Sequence, residues 1–238
     1  MKNQNYLDKV YCGTVAQRYG LETAIDKSVI KINLYLSSEG LEGDQCADHK
    51  HHGGAERALH QYPLEHYVFW ENKYGTNNQW QAPGMGENLS CAGMTEDTVC
   101  LGDRYQWGEA IIEVSQPRSP CFKLNQRWNI ERFSVDMQEL SLCGWLYRVI
   151  QPGVVSVKQP LVLVDRESNA MTIREVCEVF FGDPLNRDGL LKLKLQRKLS
   201  ASWMDKVIQR LENHEVENWS FRLLGRADSK ATGQQNVF

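Results

Sequence analysis

Between residues 83 and 165 the chain turns too often to hold long helices, and this limits it to a fold of short strands. RYQW (104–107) and AIIEVSQ (110–116) flank Gly108–Glu109, which is the pattern of a hairpin. WLYRVI (145–150), VVSV (154–157) and LVLVDR (161–166) follow, separated by Pro-Gly and Gln-Pro. Short strands in succession with glycine and proline turns predict a closed or nearly closed barrel. Strands do not alternate with long helices, so a doubly wound parallel sheet is disfavoured. The fold class is therefore mainly β, a barrel with a few helices.

Upstream, VIKINLYL (29–36) alternates and predicts a half-buried strand with Ile30, Ile32, Leu34 and Leu36 on one face. GLEGD (40–44) and HKHHGGAERALHQY (49–62) form a glycine-punctuated, histidine-rich loop region. PLEHYVFWENKYG (63–75) predicts a helix with Pro63 in its first turn, Gly75 as its stop, and Leu64, Tyr67 and Val68 toward the core.

Beyond residue 170 the pattern becomes helical. Thr172-Ile-Arg-Glu175 is a capping box, opening a helix that ends near Gly182. GLLKLKLQRKL (189–199) predicts a second helix. A third starts at Ser200 or Ser202 and carries Trp203, Val207, Ile208 and Leu211 on one side. Three short helices are marginal alone, so they are expected to pack on the barrel. The polar stretch ADSKATGQQNVF (227–238) predicts disorder. The expected organisation is a barrel domain over 1–168, a three-helix appendage over 169–216 and a mostly disordered tail over 217–238.

A formal net charge of −3 gives no reason to expect nucleic acid or an acidic membrane face as a partner. No apolar run approaches the length of a membrane span, and MKNQNYLDKVYCG is not a signal peptide. The seven cysteines are odd in number and contain no C-x-x-C pair, which disfavours both a disulfide framework and a zinc knuckle. Free thiols in such a chain fit a reducing cytoplasm.

Four segments carry chemistry. In SQPRSPCFKL (115–124), Pro117 and Pro120 fix the backbone on either side of a corner, and Cys121 sits on that corner. Arg118 and Lys123 are placed to favour its thiolate, the form a soft metal or an electrophile requires. A buried structural cysteine explains the same residues. In HHGGAER (51–57), the turn of His52, Gly53 and Gly54 suits close approach of backbone N–H groups to an anion, and Arg57 could grip a phosphate; a solvated polar loop is the other reading. Glu87 and Asn88, between glycine and serine in GMGENLS (84–90), could bond a heterocycle or only form a turn. Arg148, in GWLYRVI (144–150), could reach a pocket or make an exposed ion pair. The phosphate-binding G-x-x-x-x-G-K, the dinucleotide G-x-G-x-x-G and the nucleophile elbow G-x-S-x-G do not occur.

In this order, GLEGD, HHGGAERALHQYPLEHYVFW (51–70), GENLS (86–90), GD (102–103), SQPRSPCFKL and GWLYRVI resemble the MOSC domain, named for the C-terminal domain of molybdenum cofactor sulfurase. The match runs roughly from residue 6 to 165. The helices after it resemble the three-helix appendage of bacterial proteins conferring resistance to 6-N-hydroxylaminopurine. The resemblance implies a β-barrel fold and binding of the molybdenum cofactor, with the family's cysteine falling on Cys121 as the metal ligand. It assigns His52, Gly53, Gly54, Arg57, Asn88, Arg118, Lys123 and Arg148 as candidates to hold the pterin and its phosphate. The family's usual Gly-Gly-Pro-Asp is here Gly-Gly-Ala-Glu, so Glu56 keeps the charge while the proline is lost. His49 and His51 receive no role.

The activity implied is reduction of N-hydroxylated compounds such as hydroxylaminopurine-like bases. His60 or Glu87 would supply protons to the leaving water. The four-cysteine pattern of an iron–sulfur cluster is missing, so electrons would come from a separate flavin or iron–sulfur reductase, for which the helical trio is a docking surface. The alternative is a carrier of cofactor or sulfur on Cys121. A domain that binds a phosphorylated small molecule without chemistry is a third reading. A homodimer, the natural substrate and the donor's identity are left open.

Overall fold

The computed structural model describes residues 4–48, 52–76 and 79–225. His49, His51 and the tail from 226 onward lie outside the described residues. The described strands are β1 (Gln4–Asn5), β2 (Lys9–Cys12), β3 (Ala16–Arg18), β4 (Leu21–Thr23), β5 (Ser28–Ile30), β6 (Leu34–Ser37), β7 (Gly40–Leu41), β8 (Leu59–Pro63), β9 (Leu89–Cys91), β10 (Arg104–Trp107), β11 (Ala110–Pro117), β12 (Trp145–Gln151), β13 (Gly153–Val155) and β14 (Leu161–Asp165). The helices are α1 (Glu65–Tyr74), α2 (Phe122–Trp128), α3 (Phe133–Glu139), α4 (Ile173–Cys177), α5 (Arg187–Lys194), α6 (Ala201–Asn213) and α7 (Ser220–Leu224).

Nine strands form one curled half-barrel sheet in the order β1-β14-β10-β11-β12-β8-β9-β2-β5. All pairs are antiparallel except β8 with β9. The expected hairpin is present: Trp107 pairs with Ala110 across Gly108–Glu109. Gly108 has φ +59, and a Cβ there would meet the Val154 carbonyl at 2.5 Å, so both conformation and space require glycine. The parallel β8–β9 contact matters for function. It seats His60 and Gln61 beside the 86–90 loop, and the Asn88 side chain stitches the pair by accepting from the His60 N–H at 3.1 Å.

The strand expected over 29–36 is two strands. β5 pairs with β2, whereas β6 pairs with β13 in a second sheet. The chain crosses between sheets at 31–33, which leaves Ile32 exposed while Leu36 is fully buried. In α1 the buried face is His66, Tyr67 and Trp70, and Val68 points to solvent. Local spacing selected the right helix but set its face one residue off.

The capping box forms as expected: Thr172 Oγ1 accepts from the Glu175 N–H at 3.1 Å, and Glu175 Oε2 accepts from the Thr172 N–H at 2.8 Å. α4 then continues as a π turn over Glu178–Gly182. The appendage shares the barrel's core, since Val176, Phe180, Leu193, Trp203 and Val207 belong to one apolar cluster with Trp107, Ile112, Trp145 and Tyr147. A second cluster, with Trp70, Trp80, Leu124, Trp128 and Phe133, lies under α1, α2 and α3.

Residues 217–225, expected from sequence to fall in a mostly disordered tail, carry α7. The reason is tertiary. The buried Arg210 donates to both carboxylate oxygens of Glu217, at 3.1 and 2.9 Å, and its guanidinium lies 3.8 Å from the centre of the Phe180 ring. The turn after α6 is thereby fastened, and α7 is brought back onto α2. There the Leu223 carbonyl accepts from Asn125 Nδ2 at 2.8 Å and Ser134 Oγ at 2.7 Å.

Candidate functional site

β11 runs into Pro117, and the chain leaves the sheet through Arg118–Pro120 before α2 begins. Cys121 is the extended residue at the entrance of α2, with φ −139 and ψ 164. The loop is pinned at both ends: the Arg118 N–H donates to the Gly144 carbonyl at 3.1 Å, and the Leu124 N–H donates to the Cys121 carbonyl at 3.0 Å.

The Cys121 side chain is buried, and its sulfur lies 3.5 Å from His52 Nε2. On the other side of the same ring, His52 Nδ1 is 3.4 Å from Asp48 Oδ2. Burial alone would push the thiol up. The hydrogen bond and charge of His52, then Arg118 and the Lys123 N–H, pull it instead from 9.0 to about 7. His52, ahead of Arg118, is the main partner of the thiol. Of Lys123, the backbone and not the ammonium touches the sulfur.

Two expected site residues carry buried atoms without a well-formed hydrogen bond among the described residues: His60 Nε2, on a ring that has the Gly86 and Cys143 backbones close by, and Arg118 Nη1. Buried polar atoms are ordinarily paired, so these two ask for ligand atoms. Burial, then the Arg118 charge, pulls His60 well below its usual range, so its imidazole is neutral at physiological pH. Glu87 is fully buried. Burial raises its carboxyl to about 7 against the Tyr67 hydroxyl, the Met85 N–H and Arg118. Its oxygens accept from Tyr67 at 2.5 Å and from Met85 at 3.0 Å.

The other expected residues have structural partners. Asn88 Nδ2 donates to the Tyr11 carbonyl at 3.1 Å and to Asp44 Oδ2 at 2.7 Å. Asp44, from GLEGD, also takes Lys27 and the Gly13 N–H. Arg148 binds Glu56, Glu113 Oε1 at 2.6 Å and the Lys198 carbonyl at 3.0 Å. Its donors therefore join β12, the 55–57 turn and the appendage. Glu56 is thus an anchor of that turn. Arg57 Nη2 reaches Ser202 Oγ at 3.4 Å. Gly54 has φ +97, and no described residue lies within 4 Å of where a Cβ would stand.

Sequence reasoning missed Asp48, Glu96 and Arg222. Asp48 lies one helical turn before His52, a spacing that could have been noticed. Glu96 and Arg222 have partners far along the chain and no local signature.

The thiol gives a pH-dependent expectation. In the metal-free chain the reactive form is the thiolate, so iodoacetamide labelling of Cys121 is expected to rise with pH through a midpoint of about 7. His52→Ala should move that midpoint back toward 9.0. A wild-type midpoint near the ordinary thiol value, read by mass spectrometry of the 115–127 peptide, would contradict the assignment.

The MOSC domain model matches residues 48–162, which hold His52, His60, Glu87, Arg118 and Cys121. Over 219 residues the chain is 42% identical to Protein YiiM of Escherichia coli (strain K12), covering 91% of this chain and 97% of that protein. The crystal structure of YiiM from Escherichia coli superposes with a TM-score of 0.80 at 38% identity, over 94% of this chain and 100% of that one. A shorter similarity, 36% over 135 residues, joins 56% of this chain to 24% of a protein named Reductase from Gibberella moniliformis (strain M3125 / FGSC 7600). No described helix is long and apolar enough to cross a membrane. With 91% of its length aligned to YiiM and the site inside the matched segment, the chain belongs to the MOSC-domain family.

Proposed function

We propose that this chain is a molybdenum-cofactor-dependent reductase of N-hydroxylated compounds, fed by a separate flavin or iron–sulfur reductase. The observation that carries the reading is a buried Cys121 thiol brought to about 7 beside His52 and under the charge of Arg118, whose buried Nη1 has no hydrogen-bond partner among the described residues. The residues fit the cofactor. Among the described residues no three His, Cys, Asp or Glu side chains gather into a metal site. One thiolate suits a metal that arrives with its own pterin sulfur ligands. The unpartnered Arg118 and His60 atoms suit the oxygens and nitrogens of a heterocycle or an oxyanion.

Cys121 would anchor the metal through sulfur. Arg118, Lys123, Arg57 and the Gly53–Gly54 turn would hold the anionic phosphate, with Arg148 and Asn88 stiffening the elements behind them. When bound, the cofactor supplies the two electrons that convert an N–OH group and two protons into an N–H group and water. Glu87, poised near neutrality, is the group that can hold and release a proton there. Neutral His60 serves as a hydrogen-bond partner rather than an acid. Burial excludes bulk water from the sulfur and strengthens each of these interactions. Seven free cysteines fit a cytoplasmic setting. The separate donor is supported by the fungal relative, in which the shared segment is about a quarter of a longer protein named Reductase.

A second reading, a carrier of cofactor or sulfur, is favoured by the Asp48–His52–Cys121 alignment, which is the arrangement of an activated nucleophile. Donor-coupled turnover separates the two. Chain purified from a cofactor-producing host is expected to convert 6-N-hydroxylaminopurine to the amine with reduced methyl viologen as donor. Molybdenum-loaded chain that forms no amine would overturn the enzyme reading.

A further inference from the structure

Arg222 is nine-tenths of the way along the chain and outside the segment the MOSC domain model matches, yet it reaches the residue before Cys121. Its Nη1 donates to the Pro120 carbonyl at 2.5 Å and its Nη2 to Gln138 Oε1 at 2.6 Å. The guanidinium lies near the faces of Phe181 and Trp219, 5.7 and 5.9 Å from their centres. Both acceptors are neutral. Glu217, whose charge acts on Arg222, is itself held by Arg210 and Lys206. A largely buried cation without a carboxylate of its own is costly, and burial pulls Arg222 down to about 10. The groups that favour its charge are Cys143, Cys121 and, after them, Glu217.

The rest of α7 serves the same loop. Phe221 meets the Phe122 ring edge-on, with centres 6.1 Å apart. Gly225, at φ +71, packs so closely on Phe122 that a Cβ would stand 2.9 Å from its ring. Cys121 is thus held between Arg118, tied to Gly144, and Pro120, tied to Arg222.

We propose that Arg222 is a positioning residue of the Cys121 site, and that the C-terminal segment from Glu217 to Gly225 completes that site by holding the Pro120 carbonyl. The inference rests on Cys121 being the reactive centre. It also changes what truncation means: removing residues 171–238 would strip this clamp together with any docking surface, so lost turnover in such a variant would not identify a docking site.

The test uses the full chain carrying Arg222→Gln, with Arg222→Lys beside it, and reads hydrogen exchange by peptide. Glutamine is expected to raise exchange in 118–125 about tenfold while the β10–β11 hairpin keeps wild-type protection. Lysine, which can still reach one carbonyl, should restore part of the protection. Molybdenum content should fall with Arg222→Gln in chain from a cofactor-producing host. Unchanged exchange in 118–125, or an equal rise throughout the chain, would overturn the proposal. If wild type holds no molybdenum but 118–125 alone loosens in the variant, the clamp stands and the cofactor reading fails.

Discussion

Replacing Glu96 by alanine is expected to remove about 3–5 kcal/mol of folding stability, roughly a fifth or more of the about 5–15 kcal/mol a domain commonly has. Glu96 is fully buried. One carboxylate oxygen accepts the Gly144 N–H at 2.7 Å, and the other is 2.6 Å from His66 Nε2. Alanine leaves both of those groups buried without a partner, which costs more than the lost bonds themselves. The damage reaches the site, because the Gly144 carbonyl is the acceptor for the Arg118 N–H. Gly144 itself has no slack: at φ +67, a Cβ there would overlap the Gln61 carbonyl and crowd His60. Glu96→Gln keeps an oxygen for Gly144 and an amide N–H facing the His66 ring nitrogen, so it should cost much less. Urea unfolding monitored by tryptophan fluorescence measures both. A midpoint for Glu96→Ala within error of wild type would show that the pair does not hold the loop.

Local features of this site were legible in the sequence and long-range ones were not. The β10–β11 hairpin and the Thr172–Glu175 cap are written within a few residues, and both form as expected. The corner at Cys121 was readable because two prolines and the end of a strand are local constraints. Arg148 shows the limit. Its position on a strand after aromatics said nothing about which face would meet Glu56 and Glu113, which are 92 and 35 residues away. Glu96 has no local signature, since its partners His66 and Gly144 are 30 and 48 residues away. Arg222 lay in a stretch read as a tail, and its acceptor is 102 residues away. The split of 29–36 into two strands has the same cause, since pairing partners in two sheets overrode an alternation that fitted one.

The second large effect concerns Cys121. Serine fits the same space, and the loop's hydrogen bonds run through the backbone, so Cys121→Ser should fold and melt like wild type. Its hydroxyl is a harder and far less acidic ligand than a thiol that ionises near neutrality, so it should not hold a soft-ligand metal site. His52, Arg118 and the Lys123 N–H would then surround a group with no charge to stabilise.

Elemental analysis of gently purified chain from a cofactor-producing host, wild type beside Cys121→Ser, tests the central assignment most directly. Near-stoichiometric molybdenum in the wild type and almost none in the serine variant, with equal melting temperatures, is the predicted result. Equal molybdenum in both would mean that Cys121 is not the anchor and would contradict the account.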